Sequence, residues 1–276
     1  MTPRRLVVRT ADGASLAVER LRGGGPAVVM LHAGVADRRA WTDVAADLNQ
    51  LGADVVAYDR RGFGDTPAAT SPFRQEDDLM AVHDAVSDGP VWLVGNSQGG
   101  RIALDLALLA PERVAGLVLI ASAVSGAPEP TEDDLDEATR QLARDIERAE
   151  ESGDLNALNR LEIRLWLDGP AGPEGRVGDP PRALALDMNA RALASGMPEA
   201  AGGADHDTWA RLEEIRVPAT LACGELDLPE VIALCRVLSE RLGDVRGTVE
   251  LPGVAHLPAL ERPGLVTSVI ASAMGL

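Results

Sequence analysis

The stretch from Val91 to Ala110 constrains the fold of this chain more than any other part of the sequence. It begins with an apolar, β-prone run at residues 91–94, passes through Gly95-Asn96-Ser97-Gln98-Gly99, and continues with apolar residues at helical spacing. A serine at the apex of a tight turn between strand and helix, with glycine two positions to either side, is the pattern of a nucleophile elbow. Side chains at positions 95 and 99 would collide with such a turn. The stretch therefore predicts a strand, a strained turn at Ser97 and a helix.

Apolar runs and amphipathic stretches alternate on both sides of this turn. Several of the runs are continuously apolar, as expected of strands that are covered on both faces. The predicted strands are residues 6–8, 15–21, 27–31, 54–58, 91–94, 114–121, 218–223 and 246–251, and helices are predicted at 39–51, 75–86, 229–242 and 263–274. This alternation predicts an α/β protein with a mostly parallel eight-stranded sheet and helices on both of its faces.

The middle of the chain departs from this alternation. Residues 124–205 contain no buried-strand run, but they contain three helical stretches at 131–152, 155–167 and 181–195. With 18 acidic and 8 basic residues, this segment carries about ten of the 17 net negative charges. We expect a core made of residues 1–123 and 206–276, with residues 124–205 inserted after the sixth strand as a helical cap.

Charge and composition narrow the range of partners. The net charge is −17, and arginine supplies all 26 basic residues, because the chain has no lysine. We therefore expect no nucleic acid and no anionic membrane as partner. The first residues lack the apolar core of a signal peptide, which predicts a cytoplasmic protein, and a homodimer is one assembly that the sequence allows. Cys223 and Cys235 lie in apolar surroundings and are expected to be buried free thiols.

Short motifs follow several of the predicted strands. His32-Ala33-Gly34 follows the third strand, Asp59-x-Arg61-Gly62-x-Gly64 the fourth, Gly224-x-x-Asp227 the seventh and Gly253-x-x-His256 the last. Together with the turn at Ser97, these motifs resemble those of capped α/β-hydrolase fold proteins. That group contains 3-oxoadipate enol-lactonases, small esterases, cofactor-free haloperoxidases and C–C bond hydrolases. The resemblance covers about residues 1–123 and 206–276, and it is specific for the fold and the catalytic machinery rather than for the substrate.

The order of Ser97, Asp227 and His256 along the chain is the order of nucleophile, acid and base in that family. A serine attacks a carbonyl only if a base removes its proton, and we expect His256 to be that base. The histidine needs a carboxylate at its other ring nitrogen to fix its tautomer and to stabilise the imidazolium ion. We assign this role to Asp227, with Glu225 as the nearest competitor. Residues 121–125, where some relatives carry the acid, contain no carboxylate.

Two backbone N–H groups are expected to form an oxyanion hole, which stabilises the negative charge of the intermediate. One belongs to Gln98, directly after the nucleophile. The other belongs to Gly34, with Val35 as the alternative, because the sequence reads His-Ala-Gly where relatives read His-Gly-x. We expect His32 to hold this loop rather than to act in catalysis. The side chain of Gln98 is expected either to reach the acyl pocket or to lean on the cap.

The remaining candidates concern one loop and the pocket. We expect Arg61 to hold its loop through an ion pair with a carboxylate, for instance that of Asp59. Trp166 and Val35 are the candidate residues of the substrate pocket. Trp166 has two interpretations, as a wall of that pocket or as part of the core of the cap.

These features predict a serine hydrolase that cleaves an ester or lactone of a small, largely apolar metabolite through an acyl-enzyme. Its chemistry requires no metal and no organic cofactor. Serine rather than aspartate at position 97 argues against haloalkane dehalogenase and epoxide hydrolase chemistry, which use a carboxylate nucleophile in this family. Two alternatives stay open. The same three residues could perform C–C bond hydrolysis or perhydrolysis of the haloperoxidase type, or the chain could bind a ligand without catalysis.

Overall fold

The computed structural model describes residues 2–128, 135–196 and 206–276, and its centre is an eight-stranded sheet with the order β1-β2-β4-β3-β5-β6-β7-β8. The strands are β1 (Arg4–Arg9), β2 (Ser15–Leu21), β3 (Ala27–Leu31), β4 (Asp54–Tyr58), β5 (Val91–Asn96), β6 (Val114–Ile120), β7 (Ala219–Gly224) and β8 (Val245–Leu251). Strand β2 is antiparallel to β1 and β4, whereas the other neighbouring strands are parallel. The predicted mostly parallel α/β sheet is confirmed.

Helices cover both faces of this sheet. One face packs against α1 (Thr42–Gln50) and α9 (Pro263–Met274), and the other packs against α2 (Gln75–Val86), α3 (Gln98–Leu109) and α7 (Pro229–Arg241). The continuous apolar run of β3 follows from this arrangement. Val28 and Met30 lie in the core of the first face, while Val29 and Leu31 lie in the core of the second.

Several predicted boundaries agree with the structure, among them those of β2, β3, β4, α2 and α9. The helix predicted at 39–51 instead begins as a 3₁₀ turn, Arg38–Trp41, and becomes α-helical at Thr42. Asp37 causes this start, because its side chain accepts a hydrogen bond from the Arg39 N–H. Cys223 and Cys235 are both buried and free, as predicted.

The segment between β6 and β7 is helical in the part that the structure describes. It contains α4 (Glu137–Ser152), α5 (Leu155–Ile163), a π-helical turn at Arg164–Asp168 and α6 (Pro181–Ala194). The predicted helix start at residue 131 lies outside the described residues, as do residues 197–205. In α4 the Asp136 carboxylate accepts from the Thr139 N–H and so caps the observed start.

This helical segment packs on the loops that follow β3 and β8. Ile163 and Leu167 from the segment form one buried cluster with Ala33 and Val35 on one side and Leu257 on the other. In parallel sheets, residues at the carboxyl ends of the strands meet at one edge, and ligands bind there. The short α8 (Pro258–Glu261) lies directly after the last of these loops. None of the helices within the described residues has the length and apolar character that a membrane-crossing helix requires.

Candidate active site

Ser97 occupies the turn between β5 and α3 in a conformation that residues other than glycine rarely adopt. Its φ is 56° and its ψ is −118°, a region that costs on the order of 1–3 kcal/mol for such a residue. The turn is held from both sides, since the Ser97 N–H donates to the Ile120 carbonyl at 2.9 Å and the Ser97 carbonyl accepts from the Ala123 N–H at 3.1 Å. The side chain is half-buried at the amino end of α3.

The two glycines around Ser97 are required for different reasons. A Cβ at Gly95 would lie 2.4 Å from the backbone nitrogen of Gly100, within the turn itself, as predicted. A Cβ at Gly99 would instead lie 2.2 Å from the carbonyl oxygen of Leu31 in the neighbouring strand β3. The second glycine therefore lets α3 approach the sheet, and this close contact fixes the height of Ser97 above the strand ends.

Asp227 and His256 form a buried pair on the loops after β7 and β8. The Nδ1 of His256 lies 2.9 Å from Oδ2 and 3.0 Å from Oδ1 of Asp227. Both side chains are at most 4% exposed, and the Leu228 N–H also donates to Oδ1 of Asp227 at 2.8 Å. Glu225, the competing carboxylate, accepts from the Gly253 N–H at 2.8 Å instead. Its role is to brace the His256 loop rather than to orient the imidazole.

Ser97 and His256 line the same cavity. Within the described residues the Ser97 hydroxyl makes no hydrogen bond, so proton transfer requires the imidazole and Oγ to approach each other. Such contacts are commonly long before substrate binds. The three predicted catalytic residues are thus assembled at one edge of the sheet, with the Asp227–His256 contact already made.

The residues expected to form the oxyanion hole lie next to one another. The N–H groups of Gly34 and Gln98 donate to no other described residue, so both lack a protein partner, although neither residue is among those that line the cavity. The Val35 N–H is equally unbonded, but Val35 is buried whereas Gly34 is half-exposed. A Cβ at Gly34 would lie 3.1 Å from Nε2 of Gln98, so Gly34 lies against the Gln98 side chain.

The side chain of Gln98 follows neither of the two expected courses. Gln98 is exposed, and its Oε1 accepts from Nη1 of the buried Arg60 at 2.9 Å. Arg60 also contacts the loop after β3, because its backbone N–H donates to Nε2 of His32 at 3.1 Å. The ring of His32 is buried, and its Nδ1 lies 2.8 Å from the Ala33 carbonyl oxygen. The expectation that His32 holds this loop is confirmed.

The expected ion pair between Arg61 and Asp59 is wrong. Arg61 binds Asp78 at 2.6 Å and Asp12 at 2.7 Å, while the Asp59 carboxylate pairs with Arg38 and accepts from the backbone N–H of Arg38 at 2.8 Å. Asp59 points inward because the turn after it reverses direction, and burial raises the pKa of its carboxyl to about 6. The motif holds its loop as predicted, but through other partners.

A cavity of about 610 Å³ lies beside Ser97 and His256. Trp166 and Trp209 contribute two of its walls, and small or apolar residues contribute most of the rest: Ala121, Ala123, Ala127, Val231, Leu234 and Val237. Trp166 lines the cavity and also packs against the helical segment, so both of its interpretations hold. The expectation for Val35 is not met. Val35 is 8% exposed and is covered by the helical segment, and it is not among the lining residues.

The π-helical turn places Trp166 against the imidazole of His256. Their ring centroids are 4.5 Å apart, with an angle of 44° between the planes. Directly after the turn, Gly169 packs on the Asp227 loop, and a Cβ there would lie 2.3 Å from the carbonyl oxygen of Leu226. π-helical turns are rare and occur frequently at functional sites.

Arg176 ties this turn to the His256 loop. Its guanidinium donates to the carbonyl oxygens of Leu167 at 2.7 Å and Gly253 at 3.0 Å, and it also binds the Glu261 carboxylate. Glu261 in turn accepts from the Ala255 N–H at 2.9 Å. The inserted helices and the loop of the predicted base are therefore connected by a continuous set of hydrogen bonds.

Comparison with known proteins agrees with this architecture. The chain is 28% identical over 276 residues to a Bacillus subtilis (strain 168) protein named putative 2-succinyl-6-hydroxy-2,4-cyclohexadiene-1-carboxylate synthase, and the match covers 95% of this chain and 96% of that protein. Among solved structures, the enol-lactonase from Burkholderia xenovorans LB400 is similar with a TM-score of 0.75 and 20% identity, covering 98% of this chain and 100% of that one.

A thermophilic esterase from Thermogutta terrifontis is similar with a TM-score of 0.74 and 23% identity, covering 98% of this chain and 97% of that one. These structural similarities establish the fold. A family model described as the alpha/beta hydrolase fold matches residues 26–166, just over half of the chain. The chain therefore belongs to the α/β-hydrolase fold family.

Proposed function

We propose that the protein is a serine hydrolase that cleaves an ester or lactone of a small, largely apolar metabolite through an acyl-enzyme. One observation carries the proposal. The buried Asp227–His256 pair, joined at 2.9 Å, faces the cavity in which Ser97 stands on a strained turn. A nucleophile, a base and an orienting acid are the groups that acyl transfer through a serine requires.

In the acylation step, the Ser97 oxygen attacks the carbonyl carbon while its proton moves to Nε2 of His256. The carbonyl π electrons become a lone pair on the oxygen, and the N–H groups of Gly34 and Gln98 stabilise this oxyanion. Asp227 accepts the Nδ1 proton as a hydrogen bond and stabilises the imidazolium ion. When the carbonyl re-forms, the bond to the leaving oxygen breaks and His256 returns the proton to that oxygen.

Deacylation repeats these steps with water as the nucleophile. His256 takes a proton from water, the resulting hydroxide adds to the acyl carbon, and Ser97 leaves with the proton that His256 donates. In a lactone the leaving oxygen remains attached to the acyl chain, so a single hydroxy acid is released. Trp166 covers one side of the imidazole, which limits the access of bulk water to the base.

The walls of the cavity disfavour an anionic acyl group. No arginine is found among the described residues that line it, and the apolar lining is dominated by alanine, valine and leucine. A carboxylate bound there would lose hydration without gaining a counter-ion, which is strongly unfavourable. We therefore place neutral esters and lactones ahead of anionic substrates.

The helices between β6 and β7 support the proposed division of the chain. We infer that residues 124–205 form a cap on a core made of 1–123 and 206–276, because the described helices of this segment pack on the loops after β3 and β8. The cap contributes Trp166 to the cavity, so it takes part in substrate selection as well as in covering the site.

The Bacillus subtilis relative supplies a second candidate function. It is named as a synthase of a carboxylated cyclohexadiene, and its match extends over nearly the whole chain. A synthase reaction on such a compound would bring a carboxylate to the site, which the arginine-free lining disfavours among the described residues. C–C bond hydrolysis and perhydrolysis by the same residues remain alternatives. A vinylogous ketone turned over far better than a p-nitrophenyl ester would favour C–C cleavage.

A panel of p-nitrophenyl esters and lactones, followed by intact-mass spectrometry, tests the proposal. We expect hydrolysis of neutral substrates, an acyl adduct on Ser97, and a loss in kcat on the order of a million-fold in Ser97→Ala. Ser268→Ala is the matched control, because the hydroxyl of this exposed serine on α9 donates to the Gly264 carbonyl and to no other described residue. Near-normal turnover in Ser97→Ala would refute the mechanism. Stabilisation by ligands without any product would indicate a binding protein instead.

A further inference from the structure

One buried arginine differs from the others in its surroundings. Among the described residues, four arginines are at most 8% exposed. Three of them bind a carboxylate: Arg20 with Asp54, Arg38 with Asp59, and Arg61 with Asp78. The fourth, Arg60, is 2% exposed and has no carboxylate partner within the part of the chain that the structure describes. A buried cation without a counter-charge is costly, so its retention calls for an explanation.

The Arg60 guanidinium contacts Gln98 of the candidate oxyanion hole and Ala33, the residue before Gly34. Its Nη2 donates to the carbonyl oxygen of Ala33 at 3.0 Å, and its Nη1 donates to Oε1 of Gln98 at 2.9 Å. The ring of Phe63 covers one face, with 4.4 Å from Cζ to the ring centroid. Burial lowers the pKa of Arg60 to about 9, so the guanidinium remains charged at neutral pH.

The contact with Ala33 acts on an oxyanion donor through a single peptide group. The carbonyl of Ala33 and the N–H of Gly34 belong to the same planar trans peptide, so they point in opposite directions. His32 reinforces the contact, because its Nε2 accepts from the Arg60 backbone and its Nδ1 is therefore the protonated nitrogen that faces the Ala33 carbonyl at 2.8 Å. Donors at the carbonyl polarise the peptide and strengthen the N–H as a donor.

The contact with Gln98 fixes the second side of the hole. Because a guanidinium has only donors, it determines that Oε1 of Gln98 faces Arg60 and that the amide nitrogen faces away. The amide group lies beside Gly34, where a Cβ would be 3.1 Å from Nε2 of Gln98. One arginine thus holds both strand-end loops from which the oxyanion donors come.

We propose that Arg60 is a positioning residue of the oxyanion hole. It holds the Gly34 and Gln98 donors in place, and its positive charge stabilises the negative charge of the tetrahedral intermediate. This inference rests on the proposed serine hydrolase function. A permanent anion beside Arg60 would cancel the positive field before the oxyanion forms, and the described residues place no carboxylate there. A field fixed in advance stabilises the transition state more than the neutral substrate, so it raises kcat rather than lowering KM.

Arg60→Gln tests the inference, because glutamine can still donate to the Ala33 carbonyl but carries no charge. Removal of a direct oxyanion donor lowers kcat on the order of 10²–10³-fold, and we expect a smaller loss, on the order of 10–100-fold, from a residue that acts through such donors. KM for a neutral ester should change by less than about threefold, because Arg60 does not line the cavity. Arg60→Lys, which keeps the charge, should recover part of kcat.

A trifluoromethyl ketone supplies a readout that a purely structural role would not change. Ser97 adds to its carbonyl carbon, the carbonyl oxygen becomes an oxyanion, and the Ser97 proton passes to His256. The corresponding trifluoromethyl alcohol has the same shape but no such charge. We expect Arg60→Gln to weaken the affinity for the ketone by the same factor by which it lowers kcat, and to leave the affinity for the alcohol unchanged. Arg20→Met, which removes a buried arginine distant from the cavity, should change stability but not the ratio of the two affinities.

An unchanged ketone-to-alcohol ratio in folded Arg60→Gln would overturn the inference, as would Arg60→Lys performing no better than Arg60→Gln. Arg60→Met provides a second neutral variant for the same ratio if Arg60→Gln does not fold. Failure of the proposed function is recognised separately. In that case the wild-type protein itself shows no ester turnover, and Ser97→Ala binds the ketone as tightly as wild type does.

Discussion

Replacement of Asp227 by asparagine removes one charge while it preserves the shape of the side chain. Oδ1 of Asp227 accepts from the Leu228 N–H at 2.8 Å. The asparagine oxygen is therefore retained on that side, because two N–H groups cannot face each other there. The amide nitrogen then faces Nδ1 of His256, which lies 2.9 Å from the second oxygen in the wild type. The retained oxygen is 3.0 Å from Nδ1 as well, but the amide donor at the nearer position favours Nδ1 as an acceptor, with the proton on Nε2.

An imidazole protonated at Nε2 cannot take the proton of Ser97. A wrong tautomer of this kind lowers kcat by on the order of 10⁴, equivalent to about 5.5 kcal/mol in the activation barrier. KM should change by less than about threefold, because Asp227 is not among the residues that line the cavity. Initial rates with a neutral p-nitrophenyl ester give kcat and KM separately, and circular dichroism verifies that the variant is folded.

Glu225→Gln is the matched control for this prediction. It makes the same chemical change two residues earlier, at a carboxylate that accepts from the Gly253 N–H and not from His256. We expect kcat of Glu225→Gln to stay within about tenfold of wild type, since only the bracing of the loop is weakened. The assignment of the acid is refuted if Asp227→Asn keeps kcat within tenfold of wild type, or if both variants lose activity equally.

Two further predictions concern the turn and the loop around the site. Gly99→Ala places a Cβ 2.2 Å from the Leu31 carbonyl oxygen, so we expect urea titration to show a loss of about 3 kcal/mol in the free energy of unfolding. Gly89→Ala is the control and should leave this free energy unchanged, because the space around the new Cβ is open. Equal losses in the two variants would contradict the steric argument. Burial and the charge of Arg60 hold the pKa of His32 well below its usual 6.5. Below pH 6.5 the unfolded chain therefore binds a proton at His32 that the folded protein does not bind. As the pH falls, this histidine lowers the unfolding free energy of the wild type by up to about 1.4 kcal/mol per pH unit. In His32→Gln that contribution disappears, so the difference in unfolding free energy between wild type and variant should narrow from pH 7 to pH 5. A difference that stays constant over this range would exclude a contribution of His32 to the pH dependence.

Local sequence patterns were sufficient to predict the sheet and the order of the candidate catalytic residues along the chain. The continuous apolar run of β3 and the Gly–x–Ser–x–Gly turn each depend on contacts that recur in every strand or turn of their type. Asp227 and His256 could be placed because each closely follows a predicted strand, and the carboxyl ends of parallel strands meet at one edge.

Contacts between loops could not be predicted in the same way. Arg61 and Asp59 are neighbours in sequence, but Asp59 binds Arg38, which is 21 positions away in the chain. Likewise, nothing in the sequence around Arg60 distinguishes it from a surface arginine. Its position becomes informative only when the loops that carry Ala33 and Gln98 are brought against it.

The position of the helical segment on the core could not be predicted from the sequence either. Trp166 meets His256 because the chain makes a π-helical turn at residues 164–168, and this turn does not follow from side-chain periodicity. Val35 is a second candidate for the pocket in the sequence. It lies instead beneath the helical segment, since successive residues of a loop can face opposite sides.

Trp166 and Gly169 contact the loops of His256 and Asp227, and these contacts bear on how members of this family can be recombined. A chimaera that takes its helices from a relative needs a flat side chain at position 166 to shield the imidazole. It also needs glycine at position 169, where a Cβ would lie 2.3 Å from the Leu226 carbonyl oxygen. A crossover before residue 164 would exchange substrate preference and the shielding of His256 together. A crossover after Arg176 would exchange the remaining helices while the imidazole keeps its cover.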